Sequence, residues 1–187
     1  MGVTYPIYSQ RDPKWANFPL GANEASSASS LGAYGCAVTV IAQKLSIMGF
    51  LSTPVLVQTS LKVNRAYGGR TANLVMWGRV HDAFPQLTYN GRFDKRPLTS
   101  PLPAAQMKMI RDRLVAGNPV IVYVDAIPLG GLDQHFVLIE TELESGFVIL
   151  NPWNGKRESL RAYGKTDEIA ICGCVWLDPS YDRSKAA

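Results

Sequence analysis

Several kinds of segment are missing from this chain of 187 residues. Nowhere do 18 apolar residues run together, so the sequence offers no membrane-spanning helix. The opening MGVTYPIYSQ has neither the basic n-region nor the apolar h-region of a secretory signal. Pro6 stands where a myristoylation motif needs Ser or Thr. Charge is sparse, at 18% against 47% hydrophobic residues, and no internal repeat is visible, which excludes collagen-like, coiled-coil and disordered chains. The expectation is one globular domain over residues 1–187, large enough to bury a core.

Cysteine and histidine are scarce too. Three cysteines, an odd number, without a signal segment point to free thiols rather than a disulfide framework, and at least one thiol needs its own explanation. A zinc site needs four ligands at suitable spacing; three cysteines and two scattered histidines do not offer them, so no metal is expected. Gly130-Gly131 matches no phosphate-binding fingerprint, and no cofactor is implied. The net charge of +4 comes from basic residues placed singly or in pairs, such as Lys95-Arg96 and Lys156-Arg157. A nucleic-acid binder would cluster them in a stripe with interleaved aromatics, so no nucleic-acid partner is expected.

What is present reads as helices first and strands second. Residues 22–34, small and polar, suggest a mobile loop beside a cleft. Over residues 36–48, Val38, Ile41, Ala42, Leu45 and Met48 keep helical spacing, with Gly49 as the stop. A second helix starts at Thr53 as N-cap with Pro54 first, a third is expected over 74–84, and a fourth opens at Pro103 and ends by Gly117 and Pro119. Beyond residue 119 the runs 119–124, 135–140, 147–151 and 169–177 are β-branched and aromatic, separated by turn residues. This segregation predicts an α+β fold, a helical half packed on a mostly antiparallel sheet.

Cys36 opens the strongest helix directly after Gly35, which would set its sulfur near the positive end of the helix dipole and favour the thiolate. Position alone leaves a buried structural cysteine equally open. His135 breaks the tie, because it begins an otherwise apolar strand and an imidazole there needs a partner. A hairpin with its turn centred on Leu143 sets His135 across from Asn151, whose amide oxygen would hold one ring nitrogen and turn the other toward a nucleophile. His81 reads as a surface or packing histidine, Cys172 and Cys174 as small core residues on one strand face, and Trp153 as core.

Five blocks carry a family likeness: Gln10-Arg11-Asp12-Pro13-Lys14-Trp15, then Ser30-Leu31-Gly32-Ala33-Tyr34-Gly35-Cys36, then Gly117-Asn118-Pro119-Val120-Ile121-Val122, His135-Phe136-Val137-Leu138-Ile139 and Asn151-Pro152-Trp153-Asn154-Gly155. In this order they resemble the stand-alone relatives of the bacteriocin (double-glycine) leader-peptidase family, which are papain-like cysteine peptidases. The resemblance implies a papain-like fold with Cys36 as nucleophile, His135 as general base, Asn151 as orienting residue and Gln10 as a side-chain donor to the oxyanion hole. Many of those relatives carry Asp where this chain has Asn151; an amide still orients the ring but stabilises imidazolium less. The implied substrate is a peptide or the peptide part of peptidoglycan, in a bacterial or phage setting, with the protein cytoplasmic until released or phage-associated. Residues 51–101 match no motif of the family, so specificity is not carried over. An acyltransferase using the same triad, or a catalytically silent binding or inhibitory module on the same scaffold, are the rival expectations. The sequence does not fix an oligomeric state.

Overall fold

A computed structural model of the protein describes residues 5–22, 29–127 and 133–180. Helix α1 (Leu31–Tyr34) is a single turn, and α2 (Cys36–Ile47) follows after Gly35. The apolar spacing of α2 explains its place: Val38, Val40, Ile41, Ala42 and Leu45 are all buried. Each large side chain among them contributes roughly 1.5–3 kcal/mol on burial, which outweighs the lack of a side-chain N-cap. The helix stops where Gly49 adopts φ +89°, a conformation that glycine reaches without strain. In α3 (Pro54–Val63) the Thr53 hydroxyl accepts the Leu56 N–H and Pro54 fills the first position, as its sequence signature predicts.

The third expected helix is cut short at its start and begins as a 3₁₀ turn. Residues 67–75 form a two-stranded antiparallel ribbon, β1 (Tyr67–Gly68) with β2 (Leu74–Val75), before a 3₁₀ turn at Trp77–Arg79 and a one-turn α4 (Val80–Ala83). The Met76 N–H bonds the Ala66 carbonyl at 2.9 Å, which commits this stretch to the ribbon, and Pro85 closes the far end. His81 is exposed beside Asp82.

A sheet of six strands follows: β3 (Leu87–Asp94), β4 (Val120–Asp125), β5 (Gln134–Leu143), β6 (Gly146–Asn151), β7 (Lys156–Ser159) and β8 (Gly173–Pro179). Their spatial order is β3-β8-β4-β5-β6-β7, and each neighbouring pair is antiparallel. Helix α5 (Ala104–Val115) leads into β4 from Pro103, as expected. Strands β3 and β7 were not expected. The run 169–177 is shorter than expected as a strand, because Thr166 caps a helical turn, α6 (Asp167–Ala170). The architecture is therefore α+β with an antiparallel sheet. No helix among the described residues is long and apolar enough to cross a membrane.

Two cores cover the two sheet faces. On one, Ile121, Tyr123, Phe136, Leu138, Leu150 and Val175 pack with α2, α3 and Trp77. On the other, Val120, Val122, Val137, Ile139 and Ile149 pack with Met107 and Ile110 of α5. Cys172 belongs to the first core and Cys174 to the second, so the two cysteines do not share a face as their spacing suggested. The alternation breaks at Gly173, where a Cβ would sit 2.2 Å from the Tyr123 ring and leaves room for no other residue. Lys44 of α2 is buried; its ammonium donates to Asn118 Oδ1 and to the Pro119 carbonyl. Asn118 in turn donates to Asp178 at 2.7 Å, and Asp178 takes two bonds from Arg113 at 2.8 Å each. The chain of bonds gives a buried charge the partners it requires and ties α2 to β8.

Of the segment 22–34 expected to be mobile, residues 23–28 lie outside the described residues, as does Gly130-Gly131. The rest is fixed: Leu20 N–H bonds Ser29 O at 2.9 Å, Leu31 N–H bonds Phe18 O at 2.9 Å, and Ser30 caps α1. Leu31 is fully buried, an apolar anchor that the Ser- and Ala-rich composition obscured.

Candidate active site

The site is built where α2 begins against the start of β5. Gly35 is required at the α1–α2 junction, since a Cβ there would lie 2.4 Å from the Leu31 carbonyl oxygen. That close turn sets Cys36 as the first residue of α2, half-buried, with its thiol free of any disulfide. The backbone N–H groups of Phe136, Ala37 and Cys36 itself favour the thiolate, but burial is the larger effect and pushes the thiol up from its ordinary value, with Asp133 adding to the rise. The helix-start effect expected to favour the thiolate is therefore outweighed by burial.

The Phe136 N–H that serves Cys36 follows His135 directly, and Cys36 and His135 line the same cavity. The β5–β6 register differs from the expected one. Leu143 faces Gly146 across a two-residue turn, a bulge interrupts the pairing between Ile139 and Thr141, and Leu138 faces Leu150. One step further Asn151 comes level with Val137, so His135 is its diagonal neighbour rather than its direct partner. Diagonal neighbours remain within reach of longer side chains. His135 Nε2 lies 2.9 Å from Asn151 Oδ1, as the bond itself was expected.

The direction of this bond is fixed by its surroundings. Asn151 Nδ2 points to Glu158 Oε1 at 2.5 Å and to the Tyr163 hydroxyl at 2.7 Å, and a carboxylate only accepts. Oδ1 therefore faces His135 and also accepts the Trp153 N–H at 2.9 Å, so all four bonding positions of the amide are used. It follows that His135 Nε2 carries the proton and donates, while Nδ1 keeps its lone pair. Burial lowers the His135 pKa; the Asn151 bond, Asp133 and Glu158 push against it without reversing the shift. The imidazole is thus neutral and basic at pH 7.

Gln10 is fully buried; its N–H bonds the Pro152 carbonyl at 2.6 Å and its Nε2 bonds the Gly32 carbonyl at 3.0 Å. One Nε2 hydrogen remains, and Oε1 has no partner among the described residues. Gln10, Cys36 and His135 line one cavity of about 790 Å³, with Tyr34, Trp77, Phe136 and Tyr163 as further walls and Arg92 and Asp133 as charged members. Asn151 stands behind His135, outside the lining. His81, Cys172 and Cys174 are not part of it. Trp153, expected in the core, is 45% exposed on the cavity rim with the Arg11 guanidinium 4.7 Å over its ring.

Sequence reasoning missed Glu158, Tyr163 and Arg92. The signal for Glu158 was Asn154-Gly155, a hairpin-turn pair that returns the chain as β7 beside β6. Among the described residues no three His, Cys, Asp or Glu side chains gather as around a metal ion. No family model matches the chain, and neither does any curated protein or solved structure.

Proposed function

We propose that the chain is a papain-like cysteine peptidase that hydrolyses an amide bond in a peptide, or in the peptide part of peptidoglycan. The observation that supports this most is the imidazole of His135 held through Nε2 by Asn151 Oδ1, on a cavity that Cys36 and Gln10 share. With the thiol pushed up and the imidazole lowered, the resting pair is neutral. As the Cys36 sulfur attacks the substrate carbonyl carbon, its proton passes to His135 Nδ1 and a C–S bond forms. The developing oxyanion takes the Cys36 N–H and the remaining Gln10 Nε2 hydrogen. His135 then returns the proton to the leaving nitrogen, the C–N bond breaks, and water attacks the thioester with His135 as base. Free carboxylic acid and thiol are the products of that last step.

Mass spectrometry of products from purified peptidoglycan and a mixed peptide library, with wild type beside Cys36→Ala, tests the reading. New amine and carboxylate termini are expected with wild type alone. Identical product spectra from both proteins would refute it.

A further inference from the structure

Behind the His135–Asn151 pair stands a carboxylate that the mechanism above does not use. Glu158, half-buried on β7, faces Ile149 across the β6–β7 pairing, which makes it the diagonal neighbour of Asn151. Its two oxygens are divided: Oε1 accepts Asn151 Nδ2 at 2.5 Å and Oε2 accepts Asn154 Nδ2 at 3.1 Å. Tyr163 closes the other side of the Asn151 amide, with burial pushing its phenol up to about 12, so it stays neutral across the working range.

We propose that Glu158 is a positioning residue, which holds the Asn151 amide the right way round and supplies, from one residue further back, the negative charge that an Asn at this place lacks. The inference rests on the peptidase reading for its catalytic meaning but not for its geometry. A neutral amide with two hydrogens and one oxygen can face His135 either way; reversed, it would present N–H to N–H and release the ring. An acceptor that cannot donate, set on the Nδ2 side, removes that choice. The charge has a second effect. When His135 takes the Cys36 proton, the imidazolium has two acids near it: Asp133 at the entry to β5, and Glu158 from β7. Cys36 from α2 and Tyr163 from the 3₁₀ turn Leu160–Tyr163 face it as neutral groups in the resting state. Glu158 is the one of the two acids joined to the ring through a hydrogen-bonded path, by way of Asn151.

The test reads the ring directly, by nuclear magnetic resonance titration of both histidines in the full chain, with exposed His81 as the internal reference. Glu158→Gln keeps the size and an acceptor but removes the charge; the His135 midpoint is expected to move to lower pH while that of His81 stays. Glu158→Asp should return it toward wild type. Asn151→Asp alone sets two carboxylates face to face and should impair turnover at least about tenfold, the equivalent of one lost buried bond. Combined with Glu158→Gln, the same substitution regains a donor–acceptor pair, and both turnover and a raised midpoint should recover. An unmoved His135 midpoint in folded Glu158→Gln would overturn the proposal. If that variant does not fold, failure of the double variant to exceed Asn151→Asp would overturn it equally. Because the titration needs no substrate, a wild type that cleaves nothing would refute the peptidase reading and leave the Glu158 result standing on its own.

Discussion

Iodoacetamide added to the folded protein at about pH 7.5 is expected to find Cys36 first, and yet to react with it more slowly than with a free cysteine. The order follows from burial and charge. Cys174 has no exposed surface, and burial pushes its thiol up to about 12 from an ordinary 9.0. Since only the thiolate reacts, three powers of ten separate it from an unperturbed thiol, about 0.003% against about 3% thiolate at that pH. Cys172 is also buried, with its thiol raised by the same cause. Cys36 opens on the cavity, so reagent reaches it, but burial has raised it too, and its neutral neighbour His135 supplies no positive charge. The assay is a time course of quenched samples, digested and mapped by mass spectrometry, with a cysteine-containing peptide as the reference in the same tube. Equal rates at Cys36 and Cys174 would refute the burial argument. A Cys36 faster than the reference peptide would show a resting thiolate–imidazolium pair and overturn the neutral pair.

Three further outcomes are expected. His135→Ala removes the base and should slow turnover by about 10²–10⁴, whereas Asn151→Ala should cost about 5- to 150-fold, the range of one unsatisfied buried N–H; steady-state kinetics on variants shown folded by circular dichroism decide the ranking. The acid limb of kcat/KM should fall below the ordinary histidine value of 6.5, because burial holds His135 neutral and activity is lost only as pH drops through its lowered pKa. The unfolded chain binds that proton more readily, so urea melts should also show stability falling as pH drops below 6.5, and a stability that is flat there would contradict the shift. Gly35→Ala forces a Cβ to within 2.4 Å of the Leu31 carbonyl oxygen. It should destabilise by about 1–3 kcal/mol in a thermal melt and change the Cys36 alkylation rate, while an unchanged melt would mean that the junction relaxes freely.

The elements that could be read from the chain were those whose signals are local. Thr53-Pro54, the apolar spacing of α2 and the stop at Gly49 each act within a turn, and each has the expected effect. The start of the expected helix over 74–84 was misread because the ribbon that claims it depends on Ala66 and Tyr67, outside any window on that segment. Strand β7 is polar at all four positions, Lys156 to Ser159, and as an edge strand buries too little to show an apolar pattern. At the site, Cys36, His135 and Asn151 stood out by residue type and position. The bulge between Ile139 and Thr141 did not, since it is a property of two paired strands and not of either sequence. The direction of the thiol shift was misjudged for a related reason: a helix start is visible in one segment, whereas burial is the sum of everything packed around it.

The position of β8 sets the timing of assembly. Its residues are the last of the sheet to be made, yet it lies inside the sheet, between β3 and β4. A growing chain that already holds Cys36, His135 and Asn151 still lacks the strand that joins β3 to the others, and Asp178, which β8 contributes to the bonds under α2, is missing with it. Pairings this distant in sequence form late and together. Removal of β8 would therefore leave β3 without a partner and divide the sheet that stands behind the cleft.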